Sequence, residues 1–224
     1  MQLTKRRIIV LGVLSLVLAG GAVWLLLLNR FVRVPTGAMA NTILPGDSLI
    51  VDRLVTNISR GDIIVFKNPQ DNSVQYVSRV VGMPGETVEI RETKVLINHK
   101  ELGEKRVAVE MYEGRGGMRE LSSEGEGAYR VFYYSPREEL VAVMAQPAGR
   151  RMQLFGVDKP FEVPADHYFV MGDNRDNSQD SRYLGSVSRS LITGKPYFTY
   201  WSVERGEQGG SDRIRWDRVF SKLK

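Results

Sequence analysis

"GDIIVFKNPQDNSVQYVSRVVGMPGETVEI", Gly61 to Ile90, is the stretch whose reading decides the fold. It contains the runs "DIIVFK" (62–67), "QYVSRVV" (75–81) and "ETVEI" (86–90), parted by the turn formers "NPQDN" and "MPGE". Each run is too short for an amphipathic helix, and its β-branched side chains suit a pleated surface. The pattern extends both ways. Upstream, "SLIVD" (48–52) is followed by the turn signal "SRGD". Downstream, "KVLINHKEL" (94–102) reads as a hairpin turning at Asn98-His99, and "YRVFYY" (129–134), "ELVAVMA" (139–145), "HYFVM" (167–171) and "PYFTYWS" (196–202) continue the series. These runs predict a mainly β domain over 31–224, built as two packed antiparallel sheets or a distorted barrel. "EGRGGMRELSSEGEGA" (113–128) and "RGEQGGSD" (205–212) read as exposed, mobile loops.

The N-terminus is a different material. Ile8 to Leu28 is 21 residues without a charge, long enough as a helix to span one hydrocarbon core of ~30 Å. A cleaved signal peptide with "LAGGA" (18–22) as its processing site is the competing reading, but "VWLLLL" runs on past that site. A retained transmembrane anchor is therefore expected, with residues 1–30 as basic tail plus anchor. "KRR" precedes the span, so the positive-inside rule puts the N-terminus in the cytoplasm and the main domain outside. Four of the five net positive charges are Lys5, Arg6, Arg7 and Arg30, and only one is left for the rest of the 224-residue chain. That distribution leaves no basic face for nucleic acid and assigns the excess to the membrane lipid surface. With no cysteine there is no disulfide and no thiolate metal site.

Four blocks stand in order along the chain: "VPTGAMANTILPGD" (34–47) just after the anchor, "GDIIVF" (61–66), "SRVVGMPGE" (78–86) and "MGDNRDNSQDSRYLG" (171–185). Their sequence and spacing resemble type I signal peptidase, the membrane-bound serine peptidase that removes leader peptides, and "IRWDRVF" (214–220) resembles its C-terminal ending. Residues of about 97–165 form an insert outside the blocks. The resemblance implies a serine–lysine dyad, in which a desolvated neutral lysine takes the proton of the attacking serine. Where that family carries the serine this chain has Ala38, and where it carries the lysine this chain has Ser78.

Other implied roles have residues to fill them. The oxyanion hole would combine the Ala38 N–H with the Thr36 hydroxyl. The apolar walls that select small side chains in an Ala-x-Ala pattern would be Val34, Pro35, Met39, Ile43, Tyr76 and Val77, all of which also read as core residues. In the fourth block, Gly172, Asp173, Arg175, Ser178, Asp180 and Arg182 would brace the site, with Ser178 facing position 78 and Asp180 pairing with Arg182 and Arg79. Asp173, Asp176 and Asp180 also suggest a calcium loop, but Arg175, Ser178 and Leu184 occupy positions that an EF-hand needs for an acid or amide, a glycine and a glutamate. No metal and no cofactor is expected.

Arg79 cannot serve as a base, because guanidinium stays protonated. Thr42 and Ser178 are alternative hydroxyls, with Lys67 the nearest lysine to a block. His99 and His167 could serve a serine–histidine pair, although a hairpin turn and a strand start are the simpler readings. Three functions remain open: a homologue that binds leader-peptide ends without efficient cleavage, an active leader peptidase with a relocated nucleophile, or a laboratory-inactivated variant of an active enzyme.

Overall fold

The computed structural model describes residues 5–111, 118–135, 154–206 and 210–223. Helix α1 (Lys5–Leu28) passes without a linker into strand β1 (Asn29–Arg33). There follow β2 (Asp47–Asp52), β3 (Ile63–Lys67), β4 (Gln75–Gly82), β5 (Thr87–Arg91), β6 (Lys94–Ile97), β7 (Lys100–Glu101), β8 (Lys105–Met111), β9 (Met118–Glu124), β10 (Arg130–Tyr134), β11 (Phe161–Glu162) and β12 (His167–Met171). A four-residue helix α2 (Ser181–Leu184) precedes β13 (Val187–Ser188), the long β14 (Ile192–Glu204), β15 (Arg213–Ile214) and β16 (Ser221–Lys222).

The principal sheet is curled and antiparallel, in the order β1-β2-β14-β3-β4-β12-β13, with β15 and β16 pairing on β14. Its centre is covered on both faces. Val34, Met39, Ile43, Leu49, Val51, Ile63 and Val65 fill one side, and Ile64, Phe66, Val80, Val170, Val187 and Ile192 the other. Hence β3 is buried at each position from Ile63 to Phe66 and shows no apolar–polar alternation.

The domain is mainly β as expected, but in place of two packed sheets or a distorted barrel it holds three sheets. Besides the principal sheet there is a four-stranded sheet, β11-β5-β6-β7, packed through Val88, Ile90, Val95 and Ile97 against Val81, Phe169 and Met171. A three-stranded sheet, β10-β8-β9, contains a parallel pair, β8 with β10, where only antiparallel pairing was expected. Of the presumed loop 113–128, residues 118–124 form β9, held to β8 by backbone pairing that its polar composition did not announce, and residues 113–117 lie outside the described residues. "ELVAVMA" (139–145) and part of 205–212 also lie outside them. The hairpin at Asn98-His99 is present, with φ of 50° and 68° at the two turn residues.

Side chains of α1 are described at residues 7, 10–21, 23 and 28. Among the described residues no helix is long and apolar enough to cross a membrane.

Candidate active site

The segment between β1 and β2 is a tight double turn. The Val34 N–H donates to the Asp47 carbonyl at 2.8 Å, Ala40 to Gly37 at 3.0 Å and Ile43 to Met39 at 2.8 Å. Val34, Met39 and Ile43 are 4%, 1% and 0% exposed, so these three expected wall residues are core, while Pro35 and Thr36 are exposed and Ala38 is half-buried. Gly46 closes the turn at φ 89°; a Cβ there would lie 1.9 Å from the Val203 carbonyl oxygen. The buried Asp47 carboxylate accepts from the Leu44 N–H at 2.9 Å, the Ser202 hydroxyl at 2.6 Å and Arg218 Nη2 at 2.6 Å. Arg218 also donates to the Thr42 carbonyl at 2.9 Å, and Arg215 to the Pro45 carbonyl at 3.0 Å. The C-terminal "IRWDRVF" thereby clamps residues 42–47.

A second segment, 172–182, lies against the first. The Asn174 N–H donates to the Ala38 carbonyl at 3.1 Å and its Nδ2 to the Gly37 carbonyl at 3.0 Å. Gly172 permits this approach, since a Cβ would stand 2.4 Å from the Ala38 oxygen and 2.3 Å from Ser178 Oγ. The Gly172 N–H donates to Asp180 at 2.9 Å, and Arg182 binds Asp180 through Nε at 2.8 Å and Nη2 at 2.9 Å. Burial alone would lower the Arg182 pKa; the Asp180 charge overrides it and holds the guanidinium above its usual range.

Arg79 pairs with Asp173, where Asp180 was the expected partner. Its Nε and Nη2 reach the carboxylate at 2.8 and 2.6 Å, and Nη1 donates to the Gly61 carbonyl at 2.7 Å. The register explains the choice. Arg79 lies across from Met171, so Asp173, two residues on, is its neighbour on the same face, while Asp180 has turned away to cap α2. Thr42 Oγ1 donates to the same Asp173 carboxylate at 2.5 Å. Asp176 accepts from the Tyr134 N–H at 2.9 Å, so each of the three aspartates of the block engages different groups of the protein.

Ser78 is 2% exposed in β4, paired with Ile64. Continuing the β4–β12 register one residue past Met171 sets it across from Gly172, against which Ser178 also packs. The Ser178 hydroxyl is buried without a hydrogen-bond partner among the described residues. The six expected wall residues divide: Val77 packs with Val34, Met39 and Ile43, whereas Tyr76 belongs to the opposite face, 6.0 Å from the Phe66 ring, with its hydroxyl donating to Gln179 at 3.1 Å.

Reading the sequence missed Glu104, Tyr129, Tyr133 and Asp47. Arg175 is buried and forks onto the equally buried Glu104, with Nη1 at 2.8 Å from Oε2 and Nη2 on Oε1, and it also donates to the Tyr133 hydroxyl at 3.1 Å. Burial opposes its charge, but Glu104 holds its pKa well above the ordinary value. Tyr129 donates to Glu104 at 2.9 Å and lays its ring 4.3 Å from the Arg79 guanidinium. No local motif marks Glu104; it is 71 residues from Arg175.

The chain matches the family "Signal peptidase, peptidase S26" over residues 5–201. It belongs to that family. It is 35% identical over 202 residues to signal peptidase I of Aquifex aeolicus, covering 75% of this chain and 74% of that protein. With signal peptidase I of Pseudomonas fluorescens it shares 34% over 196 residues, 76% of this chain and 64% of that one, so it spans less than two thirds of that relative's length. A crystal structure of a signal peptidase I from Enterococcus faecalis is 26% identical and covers 63% of this chain and 97% of its own, with a TM-score of 0.34, a likeness too low to argue from.

Within this signal peptidase family member, the alternative hydroxyls are poorly served. Thr42 donates to a carboxylate that two guanidinium nitrogens of Arg79 already hold, so its hydroxyl faces an acceptor engaged in an ion pair. Lys67 is exposed at the end of β3, and His99 is exposed in its hairpin turn.

Proposed function

We propose that this chain is a membrane-anchored signal peptidase homologue that binds the leader-peptide ends of exported preproteins without cleaving them efficiently, and that it needs no cofactor. One observation carries the reading. The Ala38 N–H has no acceptor among the described residues, and it lies beside an exposed Thr36, while the side chains at 38 and 78 are a methyl and a buried hydroxyl. Such a site retains donors for a carbonyl and main-chain groups for an extended peptide. It lacks an attacking oxygen next to a base. Peptide specificity would then rest on Pro35, Thr36 and Val77, which keep accessible surface, with Val34, Met39 and Ile43 shaping the floor from below.

The membrane assignment rests on α1, where Val10, Leu11, Val13, Leu14, Leu16, Val17 and Leu18 are all exposed. Directly beyond it, β1 and the C-terminal segment carry the exposed Phe31, Trp216 and Phe220, aromatic side chains of the kind that settle at the lipid–water boundary. With "KRR" ahead of the span, the N-terminus is cytoplasmic and the β domain extracytoplasmic.

The test uses a photoreactive Ala-x-Ala peptide and the full chain in lipid. Crosslinks should fall on 34–39 and 76–79 and exceed those of a peptide with bulky residues at the selected positions. Equal labelling by both peptides would reject the binding role.

A further inference from the structure

The three-stranded sheet lies outside every sequence block that marks the family, yet it supplies the groups that hold the site from behind. Glu104 leads into β8, and Tyr129 leads into β10. Glu104 is joined to Arg175, and Tyr129 joins Glu104 through its hydroxyl and Arg79 through its ring. The backbone adds to this: the Phe132 N–H of β10 donates to the Asp173 carbonyl at 2.8 Å and the Tyr134 hydroxyl accepts from Asn174 Nδ2 at 3.3 Å. Asn174 is the residue that grips the Gly37 and Ala38 carbonyls, and those grips orient the peptide planes on which the Ala38 N–H depends.

We propose that the three-stranded sheet is a working part of the site, with Glu104 acting through Arg175 and Tyr129 acting through Arg79 as positioning residues for the 172–174 segment and, through it, for the Ala38 N–H. The claim rests on the binding role proposed above only for its consequence, peptide selectivity; the positioning itself concerns this chain alone. A buried guanidinium with two fixed partners has one position, and removing its carboxylate frees the backbone it belongs to. Ordinary stabilisation of the fold would not single out Ala38.

The experiment compares Glu104→Gln, Tyr129→Leu and, as a control, Arg60→Met, which breaks the Arg60–Glu86 pair at the Met83–Glu86 turn. Each full-length protein, labelled with 15N-alanine, is examined in detergent for the Ala38 amide resonance and for its affinity ratio between an Ala-x-Ala peptide and a bulky counterpart. Glu104→Gln and Tyr129→Leu should shift the Ala38 resonance and lower the ratio roughly tenfold, and Arg60→Met should do neither. If Glu104→Gln does not fold, Glu104→Met with Arg175→Met removes the pair together and is measured in its place. Folded Glu104 and Tyr129 variants with an unmoved Ala38 resonance would overturn the proposal. A shifted resonance in a protein whose wild type shows no peptide selectivity would uphold the positioning and reject the binding role.

Discussion

Two parts of the same site have fared differently. Behind Ala38 the bracing is complete: Asp173 with Arg79, Asp180 with Arg182, Glu104 with Arg175, and Asp47 with Arg218 are all in contact. At the two positions that the resemblance assigns to nucleophile and base, the chain carries Ala38 and Ser78. Buried charges are costly unless paired, so a bracing set of this kind holds only while every partner is present. A hydroxyl and an amine, by contrast, can be exchanged for smaller groups with little effect on the fold. On the proposed reading, the difference teaches that shape and reactivity are separable, the fold depending on the bracing and not on positions 38 and 78.

That contrast can be broken first at Asp173. Asp173→Ala leaves Arg79 buried without its carboxylate and Thr42 without its acceptor, and should lower stability by ~3–5 kcal/mol, measured by denaturant unfolding. A change under about 1 kcal/mol would mean that the bracing is ornamental. Gly172→Ala comes next. Its methyl would meet two oxygens, one of them the Ala38 backbone carbonyl at 2.4 Å, and should cost ~1–3 kcal/mol and loosen the Asn174–Ala38 contact.

A third test uses pH. Burial pushes the Tyr129 phenol above its ordinary 10.0, and the Glu104 charge adds to the shift. A group whose folded pKa is raised contributes fully below its unfolded value and loses that contribution as pH rises from there. Stability should therefore decline from pH 10 upward, by about 1.4 kcal/mol at one unit above the unfolded value, and Tyr129→Phe should abolish that share of the decline. Identical alkaline slopes in the two proteins would refute the buried Tyr129–Glu104 contact. The smallest effect belongs to position 38: Ala38→Ser, at a half-buried site, should alter stability by less than about 0.5 kcal/mol. A large loss there would erase the contrast.

What could be read from the sequence follows from how local each signal is. β3, β4, β5, β12 and the Asn98-His99 hairpin were legible because β-branched runs and turn formers act over a few residues. The Asp180–Arg182 pair was implied by the resemblance of its block to the family, and the two are in contact. Arg79 with Asp173 was not, because it depends on the β4–β12 register, which no single strand reveals. The parallel pairing of β8 with β10 and the Glu104–Arg175 pair join distant segments through tertiary packing alone. Met39 and Ile43 read most simply as core, and only the resemblance made them walls, since an apolar side chain beside a site looks the same in sequence on either side of the surface. Position 78 was assigned by the resemblance of its block alone, and its burial, with Ser78 2% exposed, could not be read from the block.

The central claim, that a braced site lacks only its two reacting groups, is tested most directly by the cleavage rate of one Ala-x-Ala precursor by four proteins: the chain itself, Ala38→Ser, Ser78→Lys and the double variant. Nucleophile and base act as a unit, so the double variant should cleave detectably and far exceed the sum of the singles, while the unaltered chain and both singles stay near background. Rapid, multiple-turnover cleavage by the unaltered chain, or an inert double variant that is folded and still binds peptide, would contradict the account.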